Sequence, residues 1–120
     1  MTSERLEIYL DRMFVTGSKV VRYAKGQNLE AFRLDEIRQD AVVANIMAIG
    51  ECVTKIMDHF PDFVIDHPEI AWKDIRNMRN RIAHQYFHLD IDILWLTVDR
   101  TIPEFLAHLD ALRNWRAQGE

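Results

Sequence analysis

Apolar residues recur along most of this chain with the spacing of an α-helix, and no stretch alternates apolar and polar residues for long, as a half-buried β-strand would. We predict a first helix over residues 3–24, with Ser3 as its cap and residues 25–28 as the turn that ends it. A second helix is predicted to begin around Leu34 or Asp35 and to end near Phe60. The apolar line of the first helix is Leu6, Leu10, Met13, Phe14, Val20 and Val21.

The second predicted helix has the most regular apolar line, with alternating four- and three-residue steps that are typical of packing against another helix. Small residues beside this line, together with Gly50, allow a neighbouring helix to approach closely. Because a mid-helix glycine costs ~1 kcal/mol relative to alanine, we expect close packing at Gly50. Glu51 is an acid in an otherwise apolar turn, and we expect it to face the third helix. The apolar line is Val42, Ile46, Ile49, Val53, Ile56 and Phe60, and the small residues are Ala41, Ala44, Ala48 and Cys52.

Residues 61–68, which begin and end with proline, are predicted to form a connecting loop. The third helix is predicted to start between Pro68 and Trp72 and to end near Phe87. Asp90 is positioned to cap the fourth helix.

Pro103 interrupts the fourth predicted helix, so we expect a kink there, with Thr101 and Glu104 capping the chain again. The polar tail from Arg113 onward is expected to fray. The apolar line of this helix is Ile91, Leu94, Val98, Ile102, Phe105, Leu109 and Leu112.

Four helices with short connections in a chain of 120 residues predict one domain over residues 1–120, an all-α antiparallel four-helix bundle. A thin bundle often buries more apolar surface by dimerising, so a symmetric homodimer is expected. The composition, 48% hydrophobic and 28% charged, is that of a globular protein. Cys52 is the only cysteine, which excludes an internal disulfide and fits a reducing cytoplasm. We expect neither a signal peptide nor a membrane span.

The net charge of −4 argues against a surface that attracts nucleic acid everywhere, so any contact with RNA must come from a local basic patch. Residues 73–81 of the third helix provide one. Four basic residues and one acid there give a local net charge of +3. The guanidinium groups of the three arginines suit bidentate recognition of phosphate. The basic residues are Lys73, Arg76, Arg79 and Arg81.

Helical spacing places Arg76, Asn80 and His84 along one line of the third helix. Cleavage of RNA without a metal needs a base for the 2′-hydroxyl, an acid for the leaving oxygen, and positive donors for the charged phosphorane. Histidine serves as base or acid near neutral pH, and arginine supplies fixed donors. Asn80 is placed to orient the imidazole or the phosphate. A symmetric dimer with two such helices across one cleft would supply a second histidine.

Two other interpretations of the same residues remain open from spacing alone. An arginine-rich helix face is usually solvated or paired with acids, and a lone histidine is more often structural than catalytic. Two histidines four apart, with acids close behind, can share a metal ion, although no third ligand is fixed and we expect no metal site and no cofactor. The acids available for pairing are Glu51, Asp74 and Asp90, and the metal interpretation involves His84, His88, Asp90 and Asp92.

The arrangement Arg79-Asn80-x-x-x-His84-x-Tyr86 resembles the signature of the HEPN superfamily, and specifically of its HepT-like toxin branch. The resemblance extends over nearly the full chain and departs from the commonest pattern at Gln85, where glycine is frequent. Further matching segments are Gln39-Asp40-Ala41, Ile49-Gly50-Glu51, His67-Pro68-Glu69-Ile70 with Trp72, and Leu94-Trp95.

This resemblance implies a HEPN-like four-helix bundle that dimerises, and a metal-independent ribonuclease that cuts tRNA or mRNA and arrests growth in the cytoplasm. It implies that Arg79 and His84 are catalytic, with Asn80 supporting them. The implied partner is an MntA-like nucleotidyltransferase antitoxin that transfers AMP to Tyr86. Added phosphate charge beside the arginines would then block the substrate phosphate. The alternative is a non-catalytic HEPN module that docks a nucleotidyltransferase, a nucleotide or RNA.

Overall fold

The computed structural model describes the backbone of residues 4–119 and the side chains of residues 4–112, and every regular element in that part is helical. Helix α1 (Glu4–Ala24) agrees with the prediction, and its predicted cap, Ser3, lies outside the described residues. Asp35 caps the N-terminus of the long central helix by accepting the backbone N–H of Arg38 at 3.0 Å. This central helix, labelled α3, spans Glu36–His59 as predicted.

Two short helices occur where the sequence indicated only connections. Helix α2 (Leu29–Arg33) is capped by Asn28 and carries Phe32, which is fully buried. Helix α4 (Pro61–Asp66) replaces the predicted loop, so that prediction was wrong. Proline ends one helix but is well suited to the first turn of the next, where its missing N–H has no partner to lose. Helices of five or six residues are too short to show an apolar period.

Helix α5 (Trp72–Gln85) carries the basic residues and continues into a 3₁₀ turn over Tyr86–His88. Asp90 then caps helix α6 (Ile91–Leu96), as predicted, by accepting the backbone N–H groups of the second and third residues beyond it.

The sequence predicts that the helix is interrupted near Pro103 and capped again by Thr101, but the structure shows no such second cap in the part of the chain that it describes. The chain passes through a wide π-helical turn (Thr97–Thr101) directly into helix α7 (Ile102–Gly119), which includes most of the tail expected to fray. The N–H of Ile102 donates to the carbonyl oxygen of Thr97, five residues earlier. Pro103 has no N–H and its ring crowds the preceding turn, so a widened turn just before it lets the helix continue.

The bundle consists of α1, α3, α5 and the continuous α6–α7 segment, and it confirms the predicted all-α four-helix architecture. Helix α3 is central, because it packs against α1 on one side and α5 on the other, while α1 also packs against α7. Val21, which we placed on the apolar line, is exposed. None of the described helices has the length and hydropathy of a bilayer-spanning segment. The largest fully buried side chains include Phe32, Phe105, Leu10, Met13, Ile46 and Ile56.

Candidate active site on helix α5

Helix α5 has one buried apolar face, and its two flanks and its outward side carry polar residues. Its buried side chains, Trp72, Ile75, Met78 and Ile82, recur at helical spacing and point into the bundle. One flank of the helix faces α3 and carries Arg79. The opposite flank carries Arg81, which lines a cleft beside the π-helical turn. The basic residues that looked like one patch in the sequence are therefore divided between different faces.

Gly50 allows α5 to lie close to α3 at Arg79. A Cβ atom added to Gly50 would overlap the Cβ and Cγ atoms of Arg79 and would lie only 3.6 Å from its Cα atom. The missing side chain thus makes room for the stem of the arginine. Close packing at this glycine is as predicted, and its neighbour across the gap is the arginine of the motif.

The guanidinium group of Arg79 is held by two partners. Its Nε donates to Glu51 Oε1 at 2.8 Å, and its Nη2 donates to the same oxygen. On the other side, Nη1 donates to Asn80 Oδ1 at 2.9 Å. The expected contact between Glu51 and the basic helix is therefore present. Asn80 contacts the arginine, whereas the sequence left open whether it would serve the imidazole or the phosphate.

His84 lies one helical turn beyond Asn80 and is exposed. Its ring makes no hydrogen bond to any side chain or backbone group that the structure describes. Lys73 is exposed on the same outward side of α5, and Arg76 is half-buried. The outward side therefore presents an imidazole that water and a ligand can reach, and it carries basic side chains two to three turns closer to the start of the helix.

Tyr86 is fixed by a residue that the sequence did not single out. Its hydroxyl group donates a hydrogen bond to Asp40 Oδ1 at 2.6 Å. This bond to a carboxylate raises the pKa of Tyr86 above its ordinary value, with smaller contributions from burial and from the charge of Asp40. The two residues are 46 positions apart, so only the tertiary structure reveals the pair. Asp40 occurs within one of the segments that resemble the family, which was the sole sequence signal.

Phe87 follows Tyr86 and is 91% exposed. The two rings make an edge-to-face contact, with their centroids 5.4 Å apart. A groove of about 350 Å³ runs beside them, between the start of α3 and the 3₁₀ turn, and Asp40 and Leu89 are among its lining residues. The end of α5 thus presents an aromatic ridge to solvent.

Across the part of the chain whose side chains are described, no three His, Cys, Asp or Glu residues lie close enough together to share a metal ion. His84 and His88 accordingly have no third ligand of these types beside them.

An all-helical bundle that carries an arginine and an exposed histidine five positions apart on one helix is the arrangement expected of a HEPN-type protein. Residues 16–112 match the family model described as Ribonuclease HepT-like, and the chain belongs to that family. The resemblance inferred from the motif is confirmed.

Several curated proteins are similar to the chain over most of their length. One is the "Probable ribonuclease HepT" of Thermococcus cleftensis, 37% identical over 85 residues, which cover 71% of this chain and 74% of the relative. A candidate RNase of Caldanaerobacter subterraneus subsp. tengcongensis is 30% identical over 96 residues, covering 80% and 83% of the two chains. Another, from Methanocaldococcus jannaschii, is 33% identical over 85 residues, covering 71% and 68%. No solved structure matches the chain.

Proposed function

We propose that this protein is a metal-independent endoribonuclease and the toxin of a bacterial toxin–antitoxin pair, with Arg79 and His84 as its catalytic residues. The observation that carries the proposal is the geometry of Arg79, whose guanidinium group is held by Glu51 and Asn80 on the helix that also carries the exposed His84. Two relatives carry names that describe them as ribonucleases, and this supports the same activity.

In the proposed reaction, His84 accepts the proton of the 2′-hydroxyl group, whose oxygen then attacks the adjacent phosphorus. Three of the five N–H groups of Arg79 are occupied by Glu51 and Asn80, so two remain for the charge that develops on the phosphorane. The leaving 5′-oxygen takes a proton from the histidine of a second protomer across a dimer cleft. The products are a 2′,3′-cyclic phosphate and a 5′-hydroxyl group.

The RNA backbone would approach from the outward side of α5, where Lys73 and Arg76 neutralise flanking phosphates. These basic side chains can attract RNA although the net charge of the chain is negative, because the attraction is confined to one helix. Cytoplasmic RNA, either tRNA or mRNA, is the proposed substrate.

Recombinant protein incubated with RNA in the presence of EDTA tests the activity directly. We expect cleavage to continue in EDTA, products that end in a 2′,3′-cyclic phosphate, and loss of cleavage in His84→Ala. Full activity of His84→Ala, or activity that requires a divalent cation, would refute the assignment.

We further propose that the toxin is neutralised by an MntA-like nucleotidyltransferase that transfers AMP from ATP to the hydroxyl oxygen of Tyr86, with release of pyrophosphate and the phenolic proton. The hydroxyl group of Tyr86 lies on an exposed turn immediately after the helix that carries the proposed active site, which supports this. A phosphodiester-linked AMP there would place negative charge near the arginine and compete with the RNA phosphate.

A second candidate function is a non-catalytic module that docks a nucleotidyltransferase, a nucleotide or RNA. The nearly complete exposure of Phe87 favours it, because an aromatic ring in that position is typical of an interaction surface. If Arg79→Ala and His84→Ala leave growth arrest unchanged, or if no arrest occurs, the docking function replaces the nuclease.

A further inference from the structure

A second cleft lies on the flank of α5 opposite Arg79, between α5, α3 and the π-helical turn. Its volume is about 250 Å³. That is below the ~300–1,000 Å³ of pockets for drug-sized ligands, and it suits a single flat ring system. The apolar part of the lining comes from Ile46, Ile75, Met78, Ile93 and Ile102.

Three polar side chains lie on the rim of this cleft. Asp74, Asn77 and Arg81 lie along one face of α5 at spacings of three and four residues, and all three are exposed. None of them makes a hydrogen bond or ion pair with any residue whose side chain is described. A carboxylate, a carboxamide and a guanidinium group therefore lie around an apolar floor, each without a hydrogen-bond partner among the side chains that the structure describes.

The π-helical turn forms the opposite wall. The hydroxyl group of buried Thr97 donates back to the carbonyl oxygen of Ile93 in α6 at 3.0 Å, so it does not face the cleft with a free donor. Thr101, one turn later, is half-buried and also lines the cleft. Wide turns of this kind cost helix regularity and are frequent beside functional sites.

We propose that this cleft binds a guanine base of the RNA and so sets the sequence preference of cleavage, an inference that rests on the proposed nuclease function. Guanine alone among the four bases presents two adjacent N–H donors, N1–H and the exocyclic amine, which together match the two oxygens of the Asp74 carboxylate. Its O6 and N7 acceptors match the donors of Arg81 and Asn77. The isoleucine and methionine side chains cover the faces of the ring.

The position of the cleft fits an RNA chain that also reaches His84. Asn77 and His84 are seven residues apart on the same helix, which corresponds to about 10 Å along its axis. Arg81 lies between them, one turn before His84, so the cleft opens beside the outward side of α5. A base in the cleft therefore belongs to the cleaved nucleotide or to a direct neighbour.

Binding of the four nucleoside monophosphates to ¹⁵N-labelled protein, followed by NMR, tests the site without any reaction. All four share the phosphate, so a difference between them reports the base. We expect GMP to bind roughly tenfold or more tightly than AMP, CMP or UMP, with the largest shifts at Asn77 and Thr101.

Asp74→Asn removes one acceptor while keeping the size of the side chain, and it should abolish the preference for GMP. Asp58→Asn, at an exposed acid of α3 away from the cleft, makes the same chemical change and should leave the preference intact. Equal affinity for all four nucleotides, no binding at all, or a preference that survives Asp74→Asn and Arg81→Gln would overturn the proposal.

Cleavage of oligonucleotides that contain a single G, A, C or U at each position separates this proposal from the nuclease function. Wild-type protein should cut beside the guanine, and Asp74→Asn should cut all sequences with similar rates. Cleavage that is indifferent to guanine in the wild type would refute the guanine site and leave the nuclease standing. GMP-specific binding without any cleavage would refute the nuclease and leave the site standing.

Discussion

Gly50 lies directly against the side-chain stem of Arg79, and a single methyl group at that glycine would overlap two carbon atoms of the arginine. The central helix and the motif helix can approach this closely only because that position has no side chain. The contact sets where the guanidinium group begins, while Glu51 and Asn80 set where it points.

Gly50→Ala is expected to destabilise the fold and to reduce RNA cleavage. Alanine gains ~1 kcal/mol in helix propensity over glycine, but overpacking of a tight contact costs roughly 1–3 kcal/mol. The atoms in the way belong to the stem near the backbone, which cannot rotate aside, so we expect a net loss of stability in urea denaturation. Gly17→Ala is the matched control.

At Gly17 an added Cβ would meet Leu106 Cδ2 at 2.7 Å, and this is the end of a side chain that can rotate. We expect Gly17→Ala to be as stable as the wild type or more so, with unchanged cleavage. Equal stability of the two alanine variants would show that the Gly50 contact relaxes as easily as the Gly17 contact.

Glu51→Ala is expected to lower cleavage about tenfold or more while changing stability by less than ~1 kcal/mol. The Glu51 side chain is 51% exposed, and exposed ion pairs contribute little to stability. The substitution removes two of the three hydrogen bonds that orient the Arg79 guanidinium group. Stabilising the charge of the transition state requires that this group be held in a fixed position.

Glu51→Gln keeps an acceptor and should retain more activity than Glu51→Ala. Asp58→Ala removes an exposed acid from the same helix and should have no effect on cleavage. The positioning role is refuted if Glu51→Ala cleaves RNA at the wild-type rate.

Asp40→Asn is expected to lower the pKa of Tyr86 toward the ordinary value of about 10, since the carboxylate that favours the neutral phenol is lost. Because the folded-state pKa is raised, the Tyr86–Asp40 bond stabilises the fold fully below the unfolded-state pKa. That stabilisation is lost as the pH rises through the folded-state pKa.

Ultraviolet titration of tyrosinate, taken as the difference between the wild type and Tyr86→Phe, separates Tyr86 from Tyr9 and Tyr23. The same difference measured in the Asp40→Asn background should shift to lower pH. An unchanged titration would mean that the hydrogen bond does not persist in solution.

Tyr86→Phe is expected to remain toxic and to escape modification by the partner. After co-expression with the nucleotidyltransferase, the intact mass of the wild type should rise by whole AMP units, whereas that of Tyr86→Phe should not. Tyr23→Phe is the control and should be modified like the wild type. A wild-type protein of unchanged mass would count against AMP transfer and would not affect the nuclease assignment.

Heterodimers of wild-type and His84→Ala protomers test the shared cleft. If one histidine acts as base and the histidine of the other protomer acts as acid, these heterodimers should be as inactive as His84→Ala homodimers. Purification through two different affinity tags isolates them for the cleavage assay. Half of the wild-type activity would instead indicate that each protomer carries an independent site.

The chain by itself determined the long helices and the motif. Alternating three- and four-residue steps from Val42 to Ile56 specify a helix with a buried face, and Asp35 and Asp90 cap their helices as local rules require. The family was likewise visible in the sequence, because Arg79, His84 and Tyr86 lie in one continuous segment whose spacing resembles the family signature, and the family model matches residues 16–112.

Only the tertiary structure decided what these residues contact. Glu51, which holds Arg79, and Asp40, which holds Tyr86, both lie on α3, at separations of 28 and 46 positions, so no local pattern encodes these two contacts. The division of the basic run is also tertiary. Arg79 and Arg81 are only two positions apart in the sequence, yet the advance of about 100° per residue turns one toward Gly50 and the other toward the π-helical turn. Which flank meets which neighbour depends on how α5 packs, and packing is settled by the whole core.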